Sequence, residues 1–91
     1  MNTPAKLSVN ENIVLRKEDD DAFLYDPETG SVSVINNTGI LIWENLHKGK
    51  NTGEIIAALL RDFPEEPPER IRSDCELFIK NLIEINHVRE I

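Results

Sequence analysis

Residues 31–43, SVSVINNTGILIW, change periodicity partway along, and this change decides the fold. Residues 31–35 alternate small polar and apolar side chains, which predicts a half-buried β-strand. From residue 40 onward apolar side chains recur at helical spacing, at Ile40, Leu41, Trp43 and Leu46. Asn36 or Asn37 can cap that helix. The segment therefore predicts a strand that leads directly into a helix.

Two further strands are predicted before this segment. Residues 13–18 begin apolar and become polar, and residues 22–25 are Ala-Phe-Leu-Tyr. Three aspartates at 19–21 favour a turn between these strands. Residues 26–30, Asp-Pro-Glu-Thr-Gly, are typical of a hairpin connection. Three short strands joined by tight turns form an antiparallel meander.

Three helices are predicted after the meander. The first ends at basic residues and Gly49, which is placed for a left-handed cap. Residues 51–54, Asn-Thr-Gly-Glu, resemble a capping box at the start of the second helix. That helix stops at Pro64, after the apolar residues Ile55, Ile56, Leu59, Leu60 and Phe63.

The third predicted helix begins near Pro68 or Glu69 and has more apolar surface than one packed face requires. Its stripe consists of Ile71, Cys75, Phe78, Leu82 and Ile85. Leu77, Ile79 and Ile83 widen the stripe on both sides. The third helix is therefore expected to contact two different surfaces.

The order of strands followed by helices indicates an α+β fold. We expect a three-stranded antiparallel sheet followed by three helices, with a winged helix-turn-helix-like topology. A chain of 91 residues fits one domain. Residues 1–11 are polar and aperiodic, which predicts a flexible N-terminal tail, and the domain covers residues 12–91. Residues 86–91 fit either a short strand or a frayed end.

The composition argues against several classes of partner. The net charge is −7, whereas duplex-binding proteins neutralise phosphates with Lys and Arg. We therefore expect neither nucleic acid nor an anionic membrane surface as the partner. No apolar run reaches membrane-span length, and no secretory signal precedes the domain, so a cytoplasmic location is expected.

The sequence offers no recognisable catalytic or metal-binding apparatus, so we expect a binding protein without a cofactor and not an enzyme. His47 and His87 lack neighbours at metal-ligand spacing; His47 fits a helix C-terminal cation and His87 a surface residue. Cys75 is the only cysteine and lies on the apolar stripe, which predicts a core thiol. Trp43 is expected to be a core anchor.

Residues 34–43 resemble the "LN-x-T-(A/G)-x-x-I-W" signature of the PqqD-like family. Residues 15–18 match its early "R-x-E" strand, Gly30 its turn before the third strand, and Gly49 with residues 52–55 its "D-G-x-x-T-x-x-E-I" stretch, one residue shorter. Residues 74–82 match its "D-V-x-x-F-L-x-x-L" helix. The resemblance covers about residues 12–88. Lys48 replaces the usual Asp, and residues 86–88, Asn-His-Val, replace the closing "G-L-V".

The resemblance implies a recognition element for ribosomally made precursor peptides. Such domains bind the leader of the peptide and present its core to a modifying enzyme, often a radical-SAM protein. The leader adds as a strand to the third strand of the meander, beside the third helix. Quinone-cofactor, lasso, thioether and other pathways fit the resemblance equally.

The peptide-binding residues expected on this basis lie on one strand and one helix flank: Ser31, Val32, Ser33, Val34, Ile35, Asp74, Leu77, Phe78 and Asn81. An open strand edge also predicts a possible homodimer through that edge. Two other functions remain open at this stage. One is an assembly subunit that binds a folded enzyme without peptide, and the other is a winged-helix DNA-binding regulator.

Overall fold

The computed structural model describes residues 6–19 and 21–91, which form a small sheet packed against three helices. The elements are β1 (Leu7–Val9), β2 (Val14–Lys17), β3 (Ala22–Tyr25), β4 (Val32–Ile35), α1 (Asn37–His47), α2 (Thr52–Asp62), α3 (Pro68–Glu84) and β5 (Val88–Glu90). Strands β2, β3 and β4 form an antiparallel sheet in that order, and β1 pairs with β5. The α+β fold predicted from the sequence is confirmed.

The β3–β4 hairpin closes through its five-residue turn as predicted. Gly30 adopts a φ of 77°, a left-handed conformation that disfavours residues with a Cβ. The Asp26 carboxylate accepts a hydrogen bond from the Glu28 N–H at 2.9 Å, and the Asp26 N–H donates to the Ser31 carbonyl at 2.9 Å. Asp26 is buried, so it serves this turn as a structural residue.

The helix ends follow the capping chemistry of the sequence. The Asn36 side chain accepts from the Gly39 N–H at 2.9 Å at the start of α1. At the start of α2, Asn51 and Glu54 each accept from the other's backbone N–H, so the predicted capping box is present. Gly49, with a φ of 83°, ends α1. These caps fix where β4 turns into α1 and where α1 turns into α2.

One apolar core joins the inner face of the sheet to the helices. Trp43 is almost fully buried, and so is Cys75, as the sequence predicted for both. Burial raises the pKa of the Cys75 thiol to about 11, with a smaller contribution from Glu76. The buried residues of α3 are Ile71, Cys75, Ile79 and Leu82. The centre of the stripe is thus Ile79 and not Phe78, which is half-buried, and Ile85 lies beyond the helix and is exposed.

The N-terminal segment differs from the expected tail. Leu7–Val9 form β1, which pairs antiparallel with β5 in the register Leu7 to Glu90 and Val9 to Val88. Leu7 and Val9 also pack against the core. A strand of three residues is too short to show a periodicity in the sequence, and its pairing partner lies at the other end of the chain. Residues 1–5, also assigned to the tail, and Asp20 of the predicted aspartate turn lie outside the described residues.

The C-terminal segment is a helix cap followed by a strand. Asn86 has a φ of 63°, and Asn tolerates this left-handed conformation better than most residues. The Asn86 N–H donates to the Ile83 carbonyl at 3.1 Å and the His87 N–H to the Leu82 carbonyl at 2.9 Å, the two bonds of a Schellman motif. Asn86 therefore occupies the left-handed cap position that corresponds to the Gly of the family's "G-L-V" ending.

The expectation that His87 lies on the surface is wrong. His87 has no exposed surface, because the cap at Asn86 turns the chain back so that β5 can pair with β1. Neither ring nitrogen has a hydrogen-bond partner among the described residues. Burial lowers the pKa of His87, and the Asp26 carboxylate opposes this effect in part. The imidazole is therefore held neutral.

A neutral buried His87 predicts loss of stability in mild acid. The folded state binds this proton less readily than the unfolded state, so the free energy of unfolding falls as pH drops below the unfolded pKa of about 6.5. The contribution of one such group is at most about 1.4 kcal/mol per pH unit. Urea unfolding at pH 7.5, 6.5 and 5.5 measures it.

The matched variants for this measurement are His87→Leu and His47→Gln. His87→Leu is expected to lose this part of the pH dependence, while His47→Gln, at an exposed position, keeps it. An identical pH dependence in wild type and His87→Leu would contradict the assignment.

Candidate functional site

Strand β4 is an open edge of the three-stranded sheet. It pairs with β3 on one side, with Leu24 opposite Ser33 and Phe23 opposite Val34. No described strand pairs with its other side. The backbone groups on that side are available to another chain.

The backbone groups that point outward from β4 belong to Val32 and Val34. The Asp26 N–H bonds the Ser31 carbonyl, and bonded pairs alternate along an antiparallel ladder, so Ser33 and Ile35 bond β3. The N–H and C=O groups of Val32 and Val34 then face away from β3. Among residues 6–19 and 21–91 they have no backbone partner. The edge thus offers two donors and two acceptors at a two-residue repeat.

One side of α3 carries polar and apolar side chains at helical spacing, and we call Asp74, Leu77, Phe78 and Asn81 the α3 flank. Leu77 is 57% exposed, so it does not pack on the sheet. Phe78 is half-buried, and Asp74 and Asn81 are exposed. Arg70 Nε lies 3.8 Å from the Asp74 carboxylate, one turn earlier on the helix. The flank is an accessible surface with Leu77 as its most exposed apolar group.

Gly39 is the point where β4, α1 and α3 meet. A Cβ built on Gly39 would lie 3.1 Å from the Ile35 Cβ and 3.3 Å from the Phe78 Cζ. A hydrogen in that place lets Phe78 reach the C-terminal end of β4.

A cavity of about 300 Å³ lies beside this junction. Leu59, Phe63 and Ile71 contribute apolar walls, and Asn36, Thr38, Glu66, Arg70 and Asp74 contribute polar groups. Asp74 of the α3 flank and Asn36, the residue after β4, line the same cavity. The cavity therefore continues the line of the strand toward α2.

The expected site residues differ in how they are placed. Ile35 and Phe78 are brought together at Gly39, and Asp74 reaches the same end of β4. Ile35 is buried, so it belongs to the core. Val32 and Val34 are 57% and 68% exposed, and their side chains lie on the face of the sheet opposite to Ser33 and Ile35. Ser31, at the far end of the strand, is exposed.

Sequence reasoning missed three residues near the site. Gly39 was quoted as part of the family signature, but its role as the meeting point of three elements depends on a contact with Phe78, 39 positions away. Thr38 and Arg70 line the cavity, and this placement also depends on contacts between residues that are distant in the sequence. In the sequence, the only sign of a close approach is a Gly in the first turn of α1.

The described residues hold no group of three His, Cys, Asp or Glu side chains arranged to bind a metal ion. None of the helices in residues 6–19 and 21–91 has the length and apolar character needed to span a membrane.

The fold and this edge define a class of protein: a small α+β, winged-helix-like domain with an open strand beside a helix. The chain belongs to the PqqD family, described as coenzyme PQQ synthesis protein D, whose model matches residues 21–88. That span runs from the turn before β3 to the first residue of β5, and the resemblance noted in the sequence is confirmed. The comparison with curated proteins finds no match.

Two solved structures share the fold. TbiB1, in complex with the TbiA(beta) leader peptide, has a TM-score of 0.76 and 22% identity, over 89% of this chain and 93% of that one. Lasso peptide synthetase B1, complexed with the leader peptide, has a TM-score of 0.74 and 21% identity, over 90% and 94% of the two chains. At this identity the likeness establishes the fold.

The contact at Gly39 predicts that Gly39→Val destabilises the domain. The added side chain must displace Ile35 or Phe78, and overpacking of this kind costs about 1–3 kcal/mol. Urea unfolding of Gly39→Val and Gly53→Val tests this, because a Cβ at Gly53 meets only the Asn51 side chain, at 3.4 Å. Equal stability of the two variants would contradict the role of Gly39.

Proposed function

We propose that this chain binds the leader of a ribosomally made precursor peptide and presents the peptide to a modifying enzyme, such as a radical-SAM protein. The leader adds to β4 as a fourth strand, beside α3. The open edge of β4, with its outward backbone groups at Val32 and Val34, is the observation that carries this proposal. Membership of the PqqD family supports it, as do two structures of similar fold that hold leader peptides.

Strand addition accounts for affinity that does not depend on the whole leader sequence. A peptide strand can pair with the backbone groups of Val32 and Val34 whatever its own side chains are. Each such hydrogen bond contributes about 1 kcal/mol net. Binding at micromolar level requires about −8 kcal/mol, so backbone pairing alone is not sufficient. Side-chain contacts supply the remainder.

The α3 flank supplies those side-chain contacts in this proposal. Leader side chains on the inner side of the added strand face α3, where Leu77 and Phe78 offer apolar surface. Burying a Leu side chain that is otherwise exposed contributes about 1.5–3 kcal/mol. The cavity next to Asn36 and Asp74 lies at the end of this path and suits one further leader side chain.

The charge of the chain supports a peptide partner more than a duplex. The net charge is −7, and at the start of α3 Arg70 and Arg72 are balanced by Glu69 and Asp74. A DNA-binding helix needs a basic surface to displace counterions from phosphates.

The proposal predicts that Leu77→Glu weakens leader binding without unfolding the domain. Leu77 is 57% exposed, so the substitution leaves the core intact, while the carboxylate is desolvated where the leader covers it. We expect at least a tenfold rise in Kd. Fluorescence anisotropy with labelled synthetic leaders, taken from short reading frames beside the gene, measures the affinity.

Arg72→Gln is the matched control. It changes the net charge by −1, as Leu77→Glu does, at an exposed α3 position on a different side of the helix. We expect its Kd to lie within twofold of wild type, and thermal melts to show both variants folded. Unchanged affinity in Leu77→Glu would remove Leu77 from the site.

A further inference from the structure

A second groove lies on the side of α3 opposite to the α3 flank, between this helix, the start of α2 and β5. Its volume is about 520 Å³. Ile79, which is buried, and Ile83, which is half-buried, form an apolar floor. We call it the β5 groove, and its other lining residues are Thr52, Glu76, Lys80, Glu84 and Glu90. The site at the β4 edge uses none of these residues.

Strand β5 has an open edge next to this groove. The Ile91 N–H bonds the Lys6 carbonyl at 2.9 Å, and bonded pairs alternate along an antiparallel ladder, so Arg89 also bonds β1. The backbone groups of Val88 and Glu90 then point away from β1. No strand in the described part of the chain pairs with this side of β5. A peptide strand added here would lie over the β5 groove.

We propose that the β5 groove binds a second segment of the same precursor peptide, which adds to β5 as a strand and places one Lys or Arg side chain in the groove. This inference rests on the proposed function and adds a second site to it. The two segments of the peptide lie on opposite sides of α3, and the linker between them passes the C-terminal end of that helix.

The charges of the β5 groove favour a long basic side chain. Three carboxylates, Glu76, Glu84 and Glu90, surround the apolar floor together with one cation, Lys80. All four side chains are exposed, and none of them belongs to an ion pair within residues 6–19 and 21–91. Lys and Arg lay their aliphatic stems along apolar surface and keep the charged head in water. Such a side chain can therefore cover Ile83 and place its charge among the carboxylates.

The size of the β5 groove favours a tethered segment over an independent partner. Strand β5 has three residues and is about 10 Å long. An interface that is stable on its own buries about 800 Å² on each partner, which this short edge does not provide. A segment of a peptide that is already held on β4 needs far less, because a short flexible tether gives an effective concentration in the millimolar range.

The course of α3 brings both sites within reach of one peptide. Phe78 approaches Gly39 at the C-terminal end of β4. Nine positions later, burial lowers the pKa of His87 and the Asp26 carboxylate opposes this effect, so the chain has returned to the opposite end of β4. A leader that emerges beside Ser31 is thus next to the start of β5. A helix is about 10–12 Å wide, and extended chain spans about 3.3–3.6 Å per residue, so the linker needs at least about four residues.

The test separates the β5 groove from the β4 edge. Glu76→Gln/Glu84→Gln removes two carboxylates of the groove and leaves both strands unchanged. Glu65→Gln/Glu69→Gln is the matched control, because it changes the net charge equally, by +2, at exposed positions that line neither groove nor cavity. Glu90→Pro removes an outward N–H that β1 does not use, a change that an edge strand tolerates.

The probes are two labelled synthetic peptides from a short reading frame beside the gene: the complete leader, and the same leader shortened to the segment that protects the Val32 and Val34 amides. We expect the complete leader to bind wild type at least fivefold more tightly than the shortened one and to protect the Glu90 amide as well. Glu76→Gln/Glu84→Gln and Glu90→Pro lose this gain and keep their affinity for the shortened leader within twofold of wild type. The control variant keeps the gain.

The peptide side of the contact is tested in the same assay. Replacing the Lys or Arg residues of the second segment by Ala is expected to remove the gain as fully as Glu76→Gln/Glu84→Gln does. Because both changes remove one contact, their combined effect is no larger than either alone. A gain that survives the replacement of all these basic residues would contradict the assigned ligand.

The β5 groove is overturned if wild type binds both peptides equally, if the complete leader leaves the Glu90 amide unprotected, or if Glu76→Gln/Glu84→Gln keeps the full gain. When the Val32 and Val34 amides are protected in those experiments, the proposed function stands and only the second site fails. When no leader protects Val32 and Val34, the proposed function fails and the second site fails with it.

Discussion

The close approach at Gly39 is the constraint on which the arrangement depends. The strand β4 passes directly into α1 through the Asn36 cap, so the start of α1 is fixed relative to the sheet. Phe78 can reach this point because Gly39 presents no side chain. The third helix is thereby anchored at one end of β4 without covering the strand. This contact places the middle of α3 at the C-terminal end of β4, and the outer side of the strand has no described partner strand.

Local signals in the sequence were sufficient for most of the fold. The switch of periodicity at residues 35–40 predicted the strand and helix, and the capping residues at 36, 49 and 51–54 predicted the helix ends. These features depend on neighbours within four or five positions, which a linear sequence displays. The pairing of β1 with β5 joins residues about 80 positions apart, and no local pattern encodes it. The burial of His87 was missed for the same reason.

In the candidate site, too, some features follow from the local sequence and others depend on contacts between distant residues. Helical spacing placed Leu77 beside the apolar stripe of α3, but only the structure shows that its side chain is 57% exposed. Ile35 and Val34 were expected to belong to one site, but alternation along β4 sends them to opposite faces. In an antiparallel pair, every second residue bonds the neighbouring strand. The hydrogen bond between Asp26 and Ser31 decides which residues of β4 these are, and therefore which two have free backbone groups. This alternation is fixed by the geometry of the β3–β4 turn and not by the amino-acid composition of the strand.

Strand β4 has three roles in this account, and each uses a different direction from the backbone. The Ser33 and Ile35 side chains face the helices, the Val32 and Val34 side chains lie on the opposite face of the sheet, and the Val32 and Val34 backbone groups point outward in the plane of the sheet. A strand at the edge of a sheet is the one element that can do all three.

Hydrogen–deuterium exchange, read residue by residue by NMR with and without leader, tests the central claim most directly. The Val32 and Val34 amides have no partner in the described part of the free chain and should exchange rapidly, whereas the Ser33 amide is already paired with β3. Saturating leader is predicted to protect Val32 and Val34 strongly, with chemical-shift changes at residues 74–81. Leader binding that leaves these two amides unprotected, or that protects Leu15 and Lys17 at the opposite edge instead, would contradict strand addition to β4.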